Sequence, residues 1–251
     1  MTSLQERDVS VACDDLELGC SYAANESPHG VVLLLHGIPS VDPPPPGDRG
    51  YAGWAHDLAA DGWLTVWADL RAVRRSPGFF SIEGWVRDAL AVVDEVRRLD
   101  TAKGLPLAVV GSSAGGCVAA EAIRRGAPAD ALALMAAPAE WLFFAGDGPT
   151  GVKKITEEAG MALAPEVLED PTAWAAEFEK ITTREAIGEV TIPTLIVHGT
   201  ADDIVPVQHA HLIAERAPHA ELVIIEGAQH ILRHEQKARD VLNDWLNRTL
   251  A

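Results

Sequence analysis

Leu107-Ala108-Val109-Val110-Gly111-Ser112-Ser113-Ala114-Gly115-Gly116 runs from four apolar residues into a tight cluster of glycine, serine and alanine. A short apolar run followed by such a cluster and then by helix formers predicts a buried strand that turns sharply into a helix. The pattern G-x-S-x-G puts Ser113 at the tip of that turn, with its hydroxyl beyond the strand end. Small residues at Gly111, Gly115 and Gly116 leave room for a strained serine backbone and let the helix lie close to the strand. Ser113 is therefore the candidate nucleophile, and Ser112, displaced from the pattern, is a packing residue.

Other short apolar runs lie on both sides of this one: Val31–Leu35, Leu64–Trp67, Ala131–Met135, Thr194–Val197 and Leu222–Ile225. Unbroken apolarity, in place of alternation, means that both faces of each strand are covered, as in a parallel sheet. Period and capping signals predict helices over 52–60, 81–99, 116–125, 207–217 and 236–246, between or after the strands. In the second of these, Ile82, Trp85, Val86, Ala89, Val92, Val93 and Val96 fall on one face. Val9–Ala12 and Leu16–Tyr22 read as an antiparallel hairpin at one edge, which makes eight strands in a three-layer α/β fold. More than fifty residues separate Ala136 from Thr194, too many for one crossover, so 139–190 is read as a helical insertion. Within it, Gly146–Gly151 reads as a loop, and Lys153–Leu163 and Pro171–Ile187 as helical. The one low-complexity tract, Pro43–Pro46, predicts a stiff extended loop.

With 251 residues, 48% hydrophobic and 23% charged, the chain can bury a core without a metal or disulfide staple. A single domain over 1–251 is expected. Asp and Glu outnumber Lys and Arg 37 to 20, and a net charge of −17 repels phosphate backbones and anionic headgroups. Neither nucleic acid nor membrane is an expected partner. Cys13, Cys20 and Cys117 show no metal-type or CxxC spacing, and the longest aliphatic run, Val31–Leu35, is far too short to span a bilayer. These features, with a polar start of the sequence, predict a cytoplasmic protein without export signal or anchor.

A serine hydroxyl needs a base to take its proton and an acid to orient that base. Both are available after later strands. His198-Gly199-Thr200-Ala201-Asp202-Asp203-Ile204-Val205-Pro206 follows the Thr194 run, and Glu226-Gly227-Ala228-Gln229-His230 follows the Leu222 run. Both loops fall at the carboxyl edge of the sheet, where open α/β sheets build their sites. Spacing to Val205-Pro206 favours Asp202 over Asp203 as the acid, and His230 is the base. The chain order Ser113, Asp202, His230 is the order expected for a parallel α/β fold with this type of turn.

In strand order and motifs the chain resembles the α/β-hydrolase superfamily over nearly its whole length. It is most similar to small serine esterases and aminopeptidase-like hydrolases with a short helical cap. His36-Gly37-Ile38-Pro39 resembles that family's H-G-x-P loop, which implies an oxyanion hole made by the backbone N–H groups of Ile38 and Ala114. Pro39 has no N–H to offer. Asp69-Leu70-Arg71-Ala72-Val73-Arg74-Arg75-Ser76 resembles D-x-R-G-x-G-x-S, but Ala72 and Arg74 replace both glycines, a departure that bears on the usual conformation of this loop and not on Ser113, Asp202 or His230. The resemblance implies an α/β-hydrolase fold with a mostly parallel eight-stranded sheet and a small helical cap. It also implies cofactor-free cleavage of a small-molecule carboxylic ester: Ser113 forms an acyl-enzyme, and His230 acts as base and then acid. Thioesterases, amidases or peptidases, and acyltransferases share this machinery, and a non-catalytic ligand-binding protein on the same fold is the alternative of another class. Nothing in the sequence identifies an oligomeric interface.

Trp141 and Phe144 are candidates for lining a substrate pocket, whereas Trp174 is read as packing. His209 and His211 stand two apart on a helix and cannot share a face, so no metal site is expected. His36 is expected to hold its loop by hydrogen bonding, His198 to be structural, Arg74 and Arg75 to be solvated or paired, and Cys117 to be a buried hydrophobe.

Overall fold

The apolar runs become the strands of one sheet: β1 (Gln5–Cys13), β2 (Leu16–Ala24), β3 (Gly30–Leu35), β4 (Trp63–Ala68), β5 (Leu107–Ser112), β6 (Ala131–Met135), β7 (Thr194–Gly199) and β8 (Glu221–Ile225). In this computed structural model, which describes residues 4–141 and 148–250, the strand order is β1-β2-β4-β3-β5-β6-β7-β8. The β1–β2 and β2–β4 pairs are antiparallel and every other pair is parallel. The helices are α1 (Gly50–Ala60), α2 (Ile82–Arg98), α3 (Ala114–Arg124), α4 (Gly148–Lys153), α5 (Pro165–Glu169), α6 (Thr172–Lys180), α7 (Thr183–Ile187), α8 (Gln208–Arg216) and α9 (Gln236–Leu250).

Two apolar cores follow from the two-residue period of the strands. Val31, Leu33 and Leu35 of β3 face one way, into a cluster with Ile82, Trp85 and Val92 of α2, Val118 of α3 and Ile213 of α8. Val32 and Leu34 face the other way, against Trp54 and Leu58 of α1 and Leu242 and Trp245 of α9. This double burial explains why the strands read as continuous apolar runs, each large side chain contributing about 1.5–3 kcal/mol. Ser81 caps α2 by accepting a hydrogen bond from the Gly84 N–H at 2.9 Å.

The buried face of α2 also carries a carboxylate, Asp88, that its apolar periodicity does not announce. Asp88 is fully buried and pairs with the buried Arg71 guanidinium, Nη2 to Oδ1 at 2.7 Å and Nε to Oδ1 at 3.0 Å. The Arg71 backbone N–H also donates to Asp88, at 2.8 Å, and Trp85 Nε1 donates to the Arg71 carbonyl at 3.0 Å. These bonds fix the start of the loop in which Ala72 and Arg74 replace two glycines.

The backbone shows what the two replacements entail. Ala72 and Arg74 occupy the positions of the missing glycines at φ of +63° and +45°, so a side chain at each is carried in the left-handed region. The surrounding bonds hold it there. Ser76 Oγ donates to the Asp69 carbonyl and accepts from Gly19 N–H, and Asp69 takes charge-assisted bonds from Arg75 at 2.7 Å and Arg74 at 3.4 Å. Ala72→Gly is expected to relieve the strain and stabilise the protein by about 1 kcal/mol, an increase in Tm of about 2–4 °C, as thermal unfolding would show.

Between β6 and β7 the chain differs in detail from its sequence reading. Residues 148–151, expected in a loop, begin α4 instead. The helix expected over Lys153–Leu163 is a single π-helical turn, Lys154–Glu158, ending at Gly160 with φ of +65°. α5 was not anticipated. The run Pro171–Ile187 is broken at Ile181-Thr182, where the Thr182 hydroxyl caps α7 by accepting from Glu185 N–H at 3.3 Å. Trp174, Phe178 and Phe80 stack edge to face or tilted beneath this segment, with centroids 4.9 Å apart for Trp174–Phe178 and 6.2 Å for the other two pairs. Trp174 is thus a packing residue. Among the described residues no helix is long and apolar enough to cross a membrane.

Candidate active site

Ser113 follows β5 directly and holds φ of +51° and ψ of −126°, a sparsely populated conformation for a non-glycine residue. Its backbone N–H donates to the Met135 carbonyl on β6 at 2.8 Å, and its carbonyl accepts from Gly116 N–H at 2.9 Å, which pins the turn from both sides. The glycines read from sequence are needed where they stand. A Cβ on Gly111 would lie 2.3 Å from the Gly115 carbonyl oxygen, and one on Gly115 would lie 2.4 Å from the His36 carbonyl oxygen.

The loops after β7 and β8 bring Asp202 and His230 to this turn. His230 Nε2 lies 3.0 Å from Ser113 Oγ, and His230 Nδ1 lies 2.8 Å from Asp202 Oδ2. An ionised carboxylate only accepts, so Nδ1 carries the proton and Nε2 presents its lone pair to the serine hydroxyl. The two loops are joined backbone to backbone: Thr200 N–H donates to the Ile225 carbonyl and Ala201 N–H to the Ala228 carbonyl, both at 3.0 Å. Asp202 is buried, while its neighbour Asp203 is exposed. Burial alone would raise the Asp202 carboxyl, but hydrogen bonds from His198, His230 and the Val205 N–H hold it well below the usual carboxylate range.

His36 is buried between this site and the loop anchored by Arg71. Its Nε2 accepts from the Leu70 backbone N–H at 3.0 Å, so its proton is on Nδ1, which donates to the Gly37 carbonyl at 2.7 Å. Burial pushes its imidazole below the ordinary histidine range, which favours this neutral form. In a trans peptide the N–H opposes the C=O, so drawing the Gly37 carbonyl toward His36 turns the Ile38 N–H the other way. Ile38 and Ala114 both line the cleft containing Ser113, and neither N–H has a backbone partner among the described residues. Gly37 packs against the serine, since a Cβ there would lie 2.8 Å from Ser113 Cβ.

The cleft holds about 280 Å³ and is walled by Ile38, Pro138, Trp141, Ile204 and Val205 around Ser113 and His230. Trp141 lies on this wall and also packs edge to face on Phe178, its Nε1 donating to the Ile181 carbonyl at 2.6 Å. Phe144, the other pocket candidate, lies outside the described residues. Lys154 and Glu158 of the π-helical turn also reach the cleft and pair at 3.0 Å; neither stood out in the sequence, because that turn reads as ordinary helix. The Val41 N–H donates to the Glu158 carbonyl at 2.9 Å, tying the loop after Pro39 to this wall. Pro43–Pro46 is exposed and lies outside the lining.

Asp48 was also not singled out from sequence. It accepts from Arg233 at 2.5 Å, His234 at 3.1 Å and Gly50 N–H at 2.7 Å, which anchors the segment just after His230 to the start of α1. Burial opposes its ionisation, but these bonds hold its carboxyl down to about 2. Cys117, fully buried on α3, has its thiol pushed up to about 12 by burial, a hydrophobe in effect rather than a nucleophile. Arg74 and Arg75 are engaged with Asp69, and His209 accepts from Ala139 N–H at 3.0 Å. Among the described residues no group of three or more His, Cys, Asp or Glu side chains is placed to hold a metal ion.

The profile of the prolyl oligopeptidase family matches residues 83–251, a span that includes Ser113, Asp202 and His230 but not the His36 loop. A stretch of 60 residues is 37% identical to uncharacterized proteins of Mycobacterium tuberculosis and Mycobacterium bovis, covering 23% of this chain and 18% of theirs. The chain thus aligns with less than a fifth of the length of these curated relatives. Among solved structures, the esterase Pf2001 of Pyrococcus furiosus is similar at a TM-score of 0.74 and 20% identity, covering 99% of this chain and 94% of that one. Est1E of Butyrivibrio proteoclasticus, solved with ferulic acid bound, gives a TM-score of 0.74 at 20% identity over 96% and 98%. An acylaminoacyl peptidase of Pyrococcus horikoshii gives 0.72 at 18% identity, covering all of this chain but 42% of the peptidase. The shared feature is the mostly parallel eight-stranded sheet with its covering helices, the α/β-hydrolase fold.

Proposed function

The chain belongs to the prolyl oligopeptidase family, within the α/β-hydrolase superfamily, and from that premise we propose that it is a serine hydrolase that cleaves a small carboxylic ester. The observation that carries this reading is the chain of hydrogen bonds from Ser113 through His230 to Asp202, at 3.0 and 2.8 Å, opening into an apolar cleft. Ser113 Oγ attacks the acyl carbon as His230 Nε2 takes its proton, and the Ile38 and Ala114 N–H groups stabilise the oxyanion. Collapse breaks the ester C–O bond, and His230 returns the proton to the departing alcohol. A water then gives its proton to His230 and attacks the acyl-enzyme, releasing the acid and restoring Ser113.

The family name and the acylaminoacyl peptidase favour a second reading, cleavage of an amide or peptide. Extent of similarity supports the ester. The two esterases match over 94% and 98% of their length, whereas more than half of the peptidase lies outside the matched region.

A p-nitrophenyl ester series from acetate to long acyl chains, run beside an N-acylaminoacyl p-nitroanilide, tests both. A cleft of about 280 Å³ accommodates only a small acyl group, so kcat/KM is expected to peak at short chains and fall for long ones. Faster anilide than ester turnover would favour the peptidase reading. Absence of both, with fluorophosphonate labelling of Ser113 intact, would reject both in favour of a thioester or acyl-transfer reaction.

A further inference from the structure

His198, the penultimate residue of β7, is completely buried four residues before Asp202. Its Nε2 faces two oxygen atoms, the Val205 carbonyl at 2.8 Å and Asp202 Oδ2 at 3.2 Å. Neither oxygen can donate, so Nε2 carries a proton shared between them. Its Nδ1 is buried and meets no hydrogen-bond partner among the described residues. Asp202 Oδ2 thus receives two imidazole N–H groups, from His230 and His198, while Oδ1 receives the backbone N–H groups of Ile204 at 3.0 Å and Val205 at 2.8 Å.

We propose that His198 is a positioning residue for the reaction, acting through Asp202: it fixes Oδ2 opposite His230 and withdraws part of that oxygen's negative charge from His230. This rests on the reading of Ser113, His230 and Asp202 as a catalytic set. Charge shared with a second donor pulls less strongly on a His230 imidazolium. The same N–H grips the Val205 carbonyl and folds the acid loop back on itself, holding Ile204 and Val205 where they wall the cleft. The other titratable groups facing this cluster are His209 on α8 and, more distantly, Glu140 after β6. Lys154 and Glu158 share the cleft with His230. His209 is kept low by its own burial and by the nearby His198, and its Nδ1 accepts the Ala139 N–H.

The test is the pH dependence of kcat/KM for His198→Leu and His198→Gln beside the parent, on the best ester of the series. Leucine removes the donor, and the acidic limb is expected to move up by roughly half a pH unit, with kcat/KM at neutral pH about tenfold lower. Glutamine offers an N–H near the position of Nε2 and is expected to return the limb to the parent's pH. A fall in rate with an unmoved limb, or a limb that glutamine does not restore, would reduce His198 to a structural residue and overturn the proposal. Fluorophosphonate labelling of the parent separates the two readings: no labelling defeats the catalytic set itself, whereas labelling with unmoved limbs defeats only the role of His198. Should the leucine variant not fold, 15N-histidine NMR of the parent decides. A His198 ring protonated on Nε2 at pH 7 supports the proposal, and one protonated only on Nδ1 rejects it.

Discussion

Ser113→Ala is expected to lower kcat for ester hydrolysis by about 10⁶-fold and to abolish fluorophosphonate labelling, with the thermal transition within a few degrees of the parent. Alanine is the informative replacement, because Ser113 stands at φ of +51° in a turn pinned by backbone bonds to Met135 and Gly116. Alanine keeps a Cβ and the same backbone conformation, so the change isolates the hydroxyl. Glycine would also relax the turn and mix a gain in stability with the loss of chemistry. Turnover equal to the parent's would refute Ser113 as nucleophile.

The acid gives the second large effect. Asp202→Asn is expected to lower kcat by about 10⁴-fold, while Asp203→Asn changes it less than about twofold. An amide at 202 still accepts the Ile204 and Val205 N–H groups through its oxygen, so the loop keeps its shape. Its NH₂ then faces the two imidazoles that donated to Oδ2, and two donors cannot share a proton. The favourable response is for His230 to move its proton to Nε2, which leaves Ser113 without a base. Burial separates the two aspartates: the Asp202 side chain is 0% exposed, whereas Asp203 is exposed to solvent. A larger effect at Asp203 would shift the acid by one residue.

Much of this architecture was legible because burial on both faces of a sheet writes itself as unbroken apolar runs, and each run from Val31–Leu35 to Leu222–Ile225 lies within a strand. The positions of Ser113, Asp202 and His230 were legible for a related reason: each follows the carboxyl end of a strand, and parallel strands deliver those ends to one edge. What the sequence hid are interactions between distant polar groups. Asp88 lies in an apolar helix face, and only the position of Arg71 explains how its charge is tolerated there. His198 read as a strand-end residue because its hydrogen-bond partners depend on how the acid loop folds back. Ala72 and Arg74 left the loop conformation open in the sequence, because the bonds around Asp69 and Ser76 that hold two left-handed side chains join positions the sequence does not pair. The π-helical turn at Lys154–Glu158 escaped notice since one turn of wider helix leaves no period to detect.

The hydrogen bond between Ser113 and His230 joins residues 117 positions apart. A ribosome adding about 5–20 residues per second makes Ser113 roughly 6–23 s before it makes His230. Through that interval the nascent chain carries the serine without its hydrogen-bond partner, and Asp202 too arrives late. The growing polypeptide therefore lacks this hydrogen bond until the last two strands of the sheet and the loops after them have been synthesised and folded against the rest.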